Sequence, residues 1–213
     1  MSESDVDKPD VLHVLLEAVE ADDADKVHEL LFEGKCSVND CDENGWTALL
    51  CASNGGNVAL ANMLITAGAT VDQPMIEGDT PLYMASQGGH LEVVKMLIVA
   101  GAMVDQATEE GCTSLYIASQ EGKLEVVKAL IEANATVDQT TEEGFTPLYV
   151  ASQEGKLEVV KALIKAKAEV DQAMGGGDTP LIIASERGHL EVVKALIEAK
   201  ATVDQAMEDG CTP

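Results

Sequence analysis

The sequence is poor in aromatic residues, although it has enough apolar residues to form a core. Aromatic residues make up only 3 % of the 213 positions, whereas apolar residues make up 46 %. Alanine, valine, leucine and isoleucine must therefore fill most of the interior. Large aromatic rings supply much of the buried area in a thick globular core, so their scarcity favours a protein built from many thin layers.

Basic residues are also scarce. The chain has 13 Lys and Arg residues against 38 Asp and Glu residues, which gives a formal net charge of −25. Nucleic acids and anionic membranes are bound mainly through basic patches, so direct binding to either is not expected. The charge favours a partner with a basic patch, but an acidic surface also serves simply to keep a long, thin protein soluble.

No secretory signal, membrane span or cysteine framework is visible. No apolar run approaches the roughly 18 residues needed to cross a bilayer, and no basic segment followed by an apolar stretch opens the chain. Five cysteines occur at spacings that match no disulfide or zinc pattern: Cys36, Cys41, Cys51, Cys112 and Cys211. We therefore expect a soluble protein of a reducing compartment such as the cytoplasm. Cys36 and Cys41 form either a redox pair or, as we favour, two small residues near a turn.

What the sequence does contain is a period of 33 residues. Glycine recurs with this step at Gly45, Gly78, Gly111, Gly144, Gly177 and Gly210, and a threonine follows each glycine two positions later. The stretches 111–143 and 144–176 are identical at 23 of 33 positions. Such a period is typical of repeat proteins, in which each unit packs on its neighbours in the chain.

The unit 78–110 shows what each repeat is expected to form. Thr80 suits the N-cap of a short helix and Pro81 suits its first position. After Gly88-Gly89, an amphipathic pattern predicts a second helix, at whose end Gly101 suits left-handed backbone. Helices of about nine residues are unstable alone. Their stability must therefore come from stacking on the next helix pair.

The motif Gly-x-Thr-Pro-Leu-x-x-Ala, followed by Gly-His, Val-x-x-Leu-Ile and Gly-Ala, resembles the ankyrin repeat, whose period is likewise about 33 residues. The resemblance covers residues 10–213, nearly the whole chain. It implies an all-α ankyrin-repeat solenoid of stacked helix-turn-helix units joined by β-turn or hairpin loops. It also implies a protein whose task is to bind another protein.

The resemblance predicts the organisation of the chain. Residues 1–9 are expected to form a disordered acidic tail, and residues 10–44 a degenerate N-terminal capping repeat that lacks the Thr-Pro opening. Residues 210–213 look like the start of a further repeat, which predicts a longer protein and an exposed apolar face on the repeat before it. Between them lie five full repeats: 45–77, 78–110, 111–143, 144–176 and 177–209.

Two positions depart from the family pattern. The family's histidine after Thr-Pro-Leu, which helps to bond neighbouring loops, is replaced by Leu50, Tyr83, Tyr116, Tyr149 and Ile182. A tyrosine can replace that bond in part, whereas leucine and isoleucine cannot. The glycine before the final alanine becomes Asn134, Lys167 and Lys200 in the later repeats. Left-handed backbone costs such a residue about 1–2 kcal/mol, so glycine at 167 and 200 is predicted to stabilise the chain.

Nothing in the sequence indicates catalysis, a metal or a cofactor. His90 and His189 occupy the family's structural Gly-His position, and His13 and His28 have no further ligand at metal-binding spacing. Residues 175–177 are three glycines, but they lack the Lys-Ser/Thr of a phosphate-binding loop. No convergent acid–base set is recognisable. We therefore predict a protein that is not an enzyme and that needs no cofactor.

Family members usually bind partners on their concave face, at the turn tips and the first helix of each repeat. The tip position varies while its surroundings stay constant: Trp46, Asp79, Cys112, Phe145 and Asp178. Large aromatic residues at exposed tips are good binding anchors. The alternative is that they only cover the neighbouring turn.

A second variable position follows the tyrosine position in the first helix. Its residues are all apolar, and we call them the apolar ladder: Cys51, Met84, Ile117, Val150 and Ile183. If this helix face is exposed, the ladder suits an amphipathic helix or an extended peptide. Equally well, the ladder packs against the turns or against another segment.

Three functions stay open at this point. The favoured one is a monomeric, non-catalytic module that binds a protein or peptide. The second is a targeting domain of a larger enzyme or adaptor, such as a kinase or ubiquitin ligase, whose catalytic part lies beyond Pro213. The third is a structural spacer, against which the apolar ladder argues mildly.

Overall fold

A computed structural model describes residues 11–204, and within them the chain is all-α, as the sequence predicts. The predicted tail and the start of a further repeat, with Cys211, lie outside the described residues. No strand occurs in the described part, where Cys41 and Thr47 form an isolated β-bridge. The helices are α1 (Val11–Glu20), α2 (Ala24–Phe32), α3 (Ala48–Asn54), α4 (Val58–Thr66), α5 (Pro81–Gly88), α6 (Leu91–Val99), α7 (Ser114–Gln120), α8 (Leu124–Glu132), α9 (Pro147–Gln153), α10 (Leu157–Lys165), α11 (Pro180–Glu186) and α12 (Leu190–Glu198).

The first helix of every full repeat is capped in the same way. A buried threonine hydroxyl accepts a hydrogen bond from the backbone N–H three residues later, at 3.1–3.3 Å. This bond satisfies one of the backbone N–H groups that a helix start leaves unpaired. The predicted cap is thus present at Thr47, Thr80, Thr113, Thr146 and Thr179.

The chain divides into two compact units between Ala102 and Met103. In unit 1, the first helices α1, α3 and α5 contact one another in chain order, and α4 contacts α6. The degenerate first repeat forms the pair α1–α2, in which Leu15 and Val27 are fully buried. Helix α1 of this repeat therefore packs on α3 in the same way as α3 packs on α5.

Unit 2 is built in the same way from α7 to α12. The helices α7, α9 and α11 pack in order, and so do α8, α10 and α12. Each repeat buries two leucines completely, and a buried leucine stabilises the fold by about 1.5–3 kcal/mol. On α12, Leu190 is 60 % exposed and Ile197 is 48 % exposed. The segment expected to follow this repeat lies outside the described residues.

The turns between repeats are tight hairpin turns. The Thr108 N–H donates to the Cys112 carbonyl at 3.0 Å, and the Gly111 N–H donates to the Thr108 carbonyl at 2.9 Å. Gly111 is left-handed, with φ of +83°, as in a type I turn followed by a bulge residue. A Cβ at Gly111 would lie 2.9 Å from the Glu142 backbone nitrogen. Only glycine fits here, because the next tip packs directly against it.

Neighbouring tips are joined by backbone hydrogen bonds within each unit. The Ile76 N–H donates to the Asn44 carbonyl at 3.1 Å in unit 1. The Glu142 N–H donates to the Glu110 carbonyl at 3.0 Å in unit 2. These bonds set the spacing between adjacent tips.

Two histidines link repeats, in the structural role that the sequence predicts. The ring Nε2 of His90 lies 2.9 Å from the Asn54 carbonyl oxygen, and that of His189 lies 2.9 Å from the Gln153 carbonyl oxygen. A Cβ at Gly56 would lie 2.3 Å from the His90 ring. The glycine of one repeat therefore makes room for the histidine of the next.

The residues that end the second helices are left-handed, as predicted. The backbone φ is +95° at Gly101, +69° at Lys167 and +70° at Lys200. A Cβ at Gly101 would meet no atom within 4 Å. A side chain at this position is therefore strained by its backbone conformation and not by crowding.

Candidate interaction site

The turn tips place one variable side chain per repeat at the surface. Each of these residues follows a left-handed glycine and precedes the capping threonine, so both neighbours hold its backbone. All five side chains are half-buried: Trp46, Asp79, Cys112, Phe145 and Asp178. The tip can therefore change its chemistry from repeat to repeat without a change of backbone.

The apolar ladder, whose exposure the sequence left open, is buried. Its five residues are only 4–8 % exposed. They lie on the first helices, and these pack against each other as α3 with α5, α7 with α9, and α9 with α11. The alternative interpretation, that the ladder packs inside the fold, agrees with this burial. Contact between a partner and Cys51, Met84, Ile117, Val150 or Ile183 stays an untested prediction.

A groove lies in unit 1 where the first repeat meets the second. It consists of two cavities of about 690 Å³ and 300 Å³. Glu20, Trp46 and Cys51 line both cavities, so the two adjoin. We call this pair of cavities, with the neighbouring Asp22 and Asp42, the Trp46 groove. Volumes of this size are typical of ligand-binding clefts.

The Trp46 groove is electrostatically negative. Burial raises the pKa of the Cys51 thiol to about 12, and the nearby carboxylates of Glu20 and Asp42 add to the shift. Cys51 is therefore an uncharged thiol at neutral pH, which is unsuited to act as a nucleophile.

The carboxylates of the groove differ in how far they are already satisfied. Asp42 accepts hydrogen bonds from the backbone N–H groups of Asn44 and Trp46, at 2.9 Å and 2.8 Å. Asp22 accepts a hydrogen bond from the side chain of Asn57. The Glu20 carboxylate forms no hydrogen bond or ion pair with any residue between 11 and 204, so no described residue competes with a partner for it.

A smaller cavity of about 230 Å³ lies between two tips of unit 2. Cys112, Tyr116 and Phe145 line it, together with glutamates of both tips. Burial raises the pKa of Tyr116 to about 12, and neighbouring Cys112 and glutamates contribute. The Phe145 ring lies 5.2 Å from the Tyr149 ring, measured between centroids. Phe145 therefore packs on Tyr149 of its own repeat and also lines this cavity.

Tyr149 joins two neighbouring repeats through its hydroxyl. The Tyr149 hydroxyl donates to the Asp178 carboxylate at 2.7 Å and so ties its repeat to the next tip. Burial and this carboxylate raise the pKa of Tyr149 above its usual value. Leu50 and Ile182, which stand at the same position, are buried and can form no such bond. Asp178 thus supports the turn instead of presenting an open carboxylate.

The described residues contain no metal-binding cluster, disulfide bond or membrane-spanning helix. Among residues 11–204, no group of three or more His, Cys, Asp or Glu side chains is placed to hold a metal ion. The four cysteines in this range are not disulfide-bonded. None of the helices in the described part of the chain is long and apolar enough to span a membrane.

Sequence reasoning found Trp46 but missed its neighbours from the first repeat. Val19, Glu20 and Asp22 line the larger cavity, yet the sequence assigned this repeat only a capping role. A usable signal was present, because this repeat carries Glu20 at the position where each of the five full repeats carries a serine. Acidic side chains beside an aromatic tip could have marked the groove.

Comparison with known families agrees with the fold. A family model described as ankyrin repeats (3 copies) matches residues 15–108, 98–174 and 160–213. The matches together span nearly the whole chain. A search among curated proteins found no match.

Proposed function

We propose that this chain, which belongs to the ankyrin-repeat family, is a non-catalytic module that binds a protein or peptide at its turn tips and first helices. Ankyrin repeats are generally protein–protein interaction modules. The chain acts as a monomer, since copies with a net charge of −25 repel one another. Its cysteines suit a reducing, intracellular compartment.

The single observation that carries this proposal is the Trp46 groove. Trp46 is the only tryptophan in the chain, and it lines two adjoining cavities at a surface of fixed backbone. Tryptophans in such pockets supply a large share of the binding energy at protein interfaces. Because the tips are joined by backbone hydrogen bonds, a partner meets a preorganised surface and little ordering entropy is lost on binding.

A selection from a phage-displayed library of random peptides tests the proposal. We expect peptides with a shared sequence to be enriched on the parent chain. Trp46→Ala should weaken their binding by about 30-fold or more, since truncating a hot-spot residue costs at least about 2 kcal/mol. Circular dichroism must show that this variant keeps its helices.

Val99→Ala is the matched control, because it also truncates an apolar side chain. Val99 ends a second helix and is 88 % exposed, away from the groove residues. It should leave peptide binding unchanged. Failure to enrich any peptide, or equal binding by the folded Trp46→Ala variant, would refute the proposed site.

A further inference from the structure

Carboxylates outnumber basic groups in the lining of the Trp46 groove, where His13 is the one basic side chain beside Glu17, Glu20, Asp22 and Asp42. The described lysines of unit 1 are Lys26, Lys35 and Lys95, and each is already paired with glutamates on second helices or in the loop after them, at 2.7–3.3 Å. His13 lies 3.1 Å from Glu17 on its own helix. The carboxylate of Glu20, which lines both cavities, has no such partner among residues 11–204.

The groove also offers an aromatic surface beside this carboxylate. The face of a tryptophan ring attracts a cation placed within about 6 Å of its centre. A guanidinium group can stack on such a ring while it donates hydrogen bonds to a carboxylate. Trp46 and Glu20 line the same two cavities and so supply both kinds of contact.

From these features, and resting on the proposed function, we infer that the Trp46 groove recognises an arginine or lysine side chain of the bound segment. The basic group lies against Trp46 and pairs with Glu20. Asp22 and Asp42, whose oxygens are already engaged with backbone or amide groups, add to the attractive field. A cavity of about 690 Å³ leaves room for the residues that flank the basic one.

Charge opposes two other occupants of the groove. The segment 1–10 contains Glu3, Asp5, Asp7 and Asp10 against Lys8 alone. A second copy of the chain carries the same net charge of −25. Both would bring more carboxylates to a groove that already has an unpaired one, and like charges in contact are unfavourable.

Titration with two defined peptides tests this inference. The probes are acetyl-Gly-Arg-Ala-Arg-amide and the same peptide with citrulline, a neutral isostere, in place of both arginines. Because Trp46 is the only tryptophan, its fluorescence reports directly on the groove. We expect a saturable change with the arginine peptide and binding weaker by about tenfold or more with the citrulline peptide, which lacks the cation that ring and carboxylate attract.

Two variants with the same change of charge complete the test. Glu20→Gln should weaken binding of the arginine peptide by about tenfold, the loss of a charge-assisted contact. Glu92→Gln removes an equal charge from the exposed side of α6 and should leave the affinity within about twofold, because distant surface charges are screened by salt. Helicity and unfolding midpoints are checked for both.

Equal binding of the arginine and citrulline peptides, or equal affinity of Glu20→Gln and Glu92→Gln, would overturn the inference. The phage selection separates this failure from failure of the proposed function. Peptides that depend on Trp46 but contain no basic residue would leave the interaction site standing and remove its preference for a cation. Deletion of residues 1–10 tests whether this segment of the chain occupies the groove. An increase of about tenfold or more in affinity for the arginine peptide would show that the segment fills the groove. That result would also overturn the inference.

Discussion

Replacing Ser114 by proline should stabilise the protein. Ser114 is the first residue of α7, is only 1 % exposed, and its hydroxyl has no hydrogen-bond partner in the described part of the chain. Proline stands at the same helix position in three other repeats, as Pro81, Pro147 and Pro180, and is buried there. The fold therefore already accommodates a proline ring at this place.

The backbone at this site also suits proline. Thr113, which precedes Ser114, has φ −93° and ψ 168°. These angles are close to the −90° and 164° of Thr80 before Pro81, and they lie in the extended region that a residue before proline prefers. The N–H that proline lacks belongs to the unpaired start of the helix. No hydrogen bond is lost by the substitution.

The expected gain combines two effects. A buried hydroxyl without a partner costs about 1–3 kcal/mol, and a compatible proline adds about 0.4–1 kcal/mol by restricting the unfolded chain. We expect Ser114→Pro to gain about 2 kcal/mol and Ser114→Ala about 1 kcal/mol, because alanine removes only the hydroxyl. For a chain of this size, 2 kcal/mol raises Tm by roughly 4–8 °C.

Urea and thermal unfolding, followed by circular dichroism, measure these changes. Pro147→Ser is the reverse control and should lower the midpoint. A midpoint for Ser114→Pro at or below that of Ser114→Ala would show that the backbone reasoning is wrong. If Ser114→Ala does not exceed the parent, the hydroxyl is satisfied in solution and its assigned cost is wrong.

Three further predictions follow from strain, ionisation and burial. Lys167→Gly and Lys200→Gly should each raise the free energy of unfolding, measured in urea, by about 0.5–1 kcal/mol. Glycine relieves about 1–2 kcal/mol of left-handed strain, which exceeds the cost of the entropy that it adds to the unfolded chain. Stability should fall as pH rises from 10 to about 12. Folding raises the pKa of Tyr116, so its hydroxyl ionises at a lower pH in the unfolded chain than in the folded one. Tyr116→Phe should reduce this fall, as measured by urea unfolding at alkaline pH. Iodoacetamide should modify Cys41, which is exposed, well before Cys51, whose thiol is buried with a pKa of about 12; peptide mass mapping gives the order.

Each of these predictions has a control and a contradicting result. Gly101→Lys, at a site with open space for a side chain, should be destabilising, and unchanged or lower midpoints for the two lysine-to-glycine variants would contradict the strain argument. Identical alkaline profiles of the parent and Tyr116→Phe would contradict the raised pKa. Equal rates for Cys41 and Cys51 in the folded chain would contradict the burial of Cys51. In urea, where both thiols are exposed, the two rates should be similar.

The sequence by itself determined the features that depend on neighbours along the chain. The threonine cap, the proline at the first helical position and the left-handed glycines are local, and each recurs every 33 residues. Even His90 could be assigned a structural role, because its repeat position implied a fixed neighbour in the preceding repeat. Contacts between repeats can be predicted from a repeating sequence, because the same pair of positions is in contact at each repeat junction.

Only the tertiary structure decided what covers a side chain and which residues surround an open space. The apolar ladder looked equally suited to binding and to packing, and its burial depends on neighbouring first helices that the pattern of one helix does not describe. The Trp46 groove joins Glu20 of the degenerate repeat to Trp46 and Cys51 of the next. A repeat pattern does not predict this groove, because it forms where a non-identical repeat meets a regular one, and the shape of that contact depends on side chains that the period does not share.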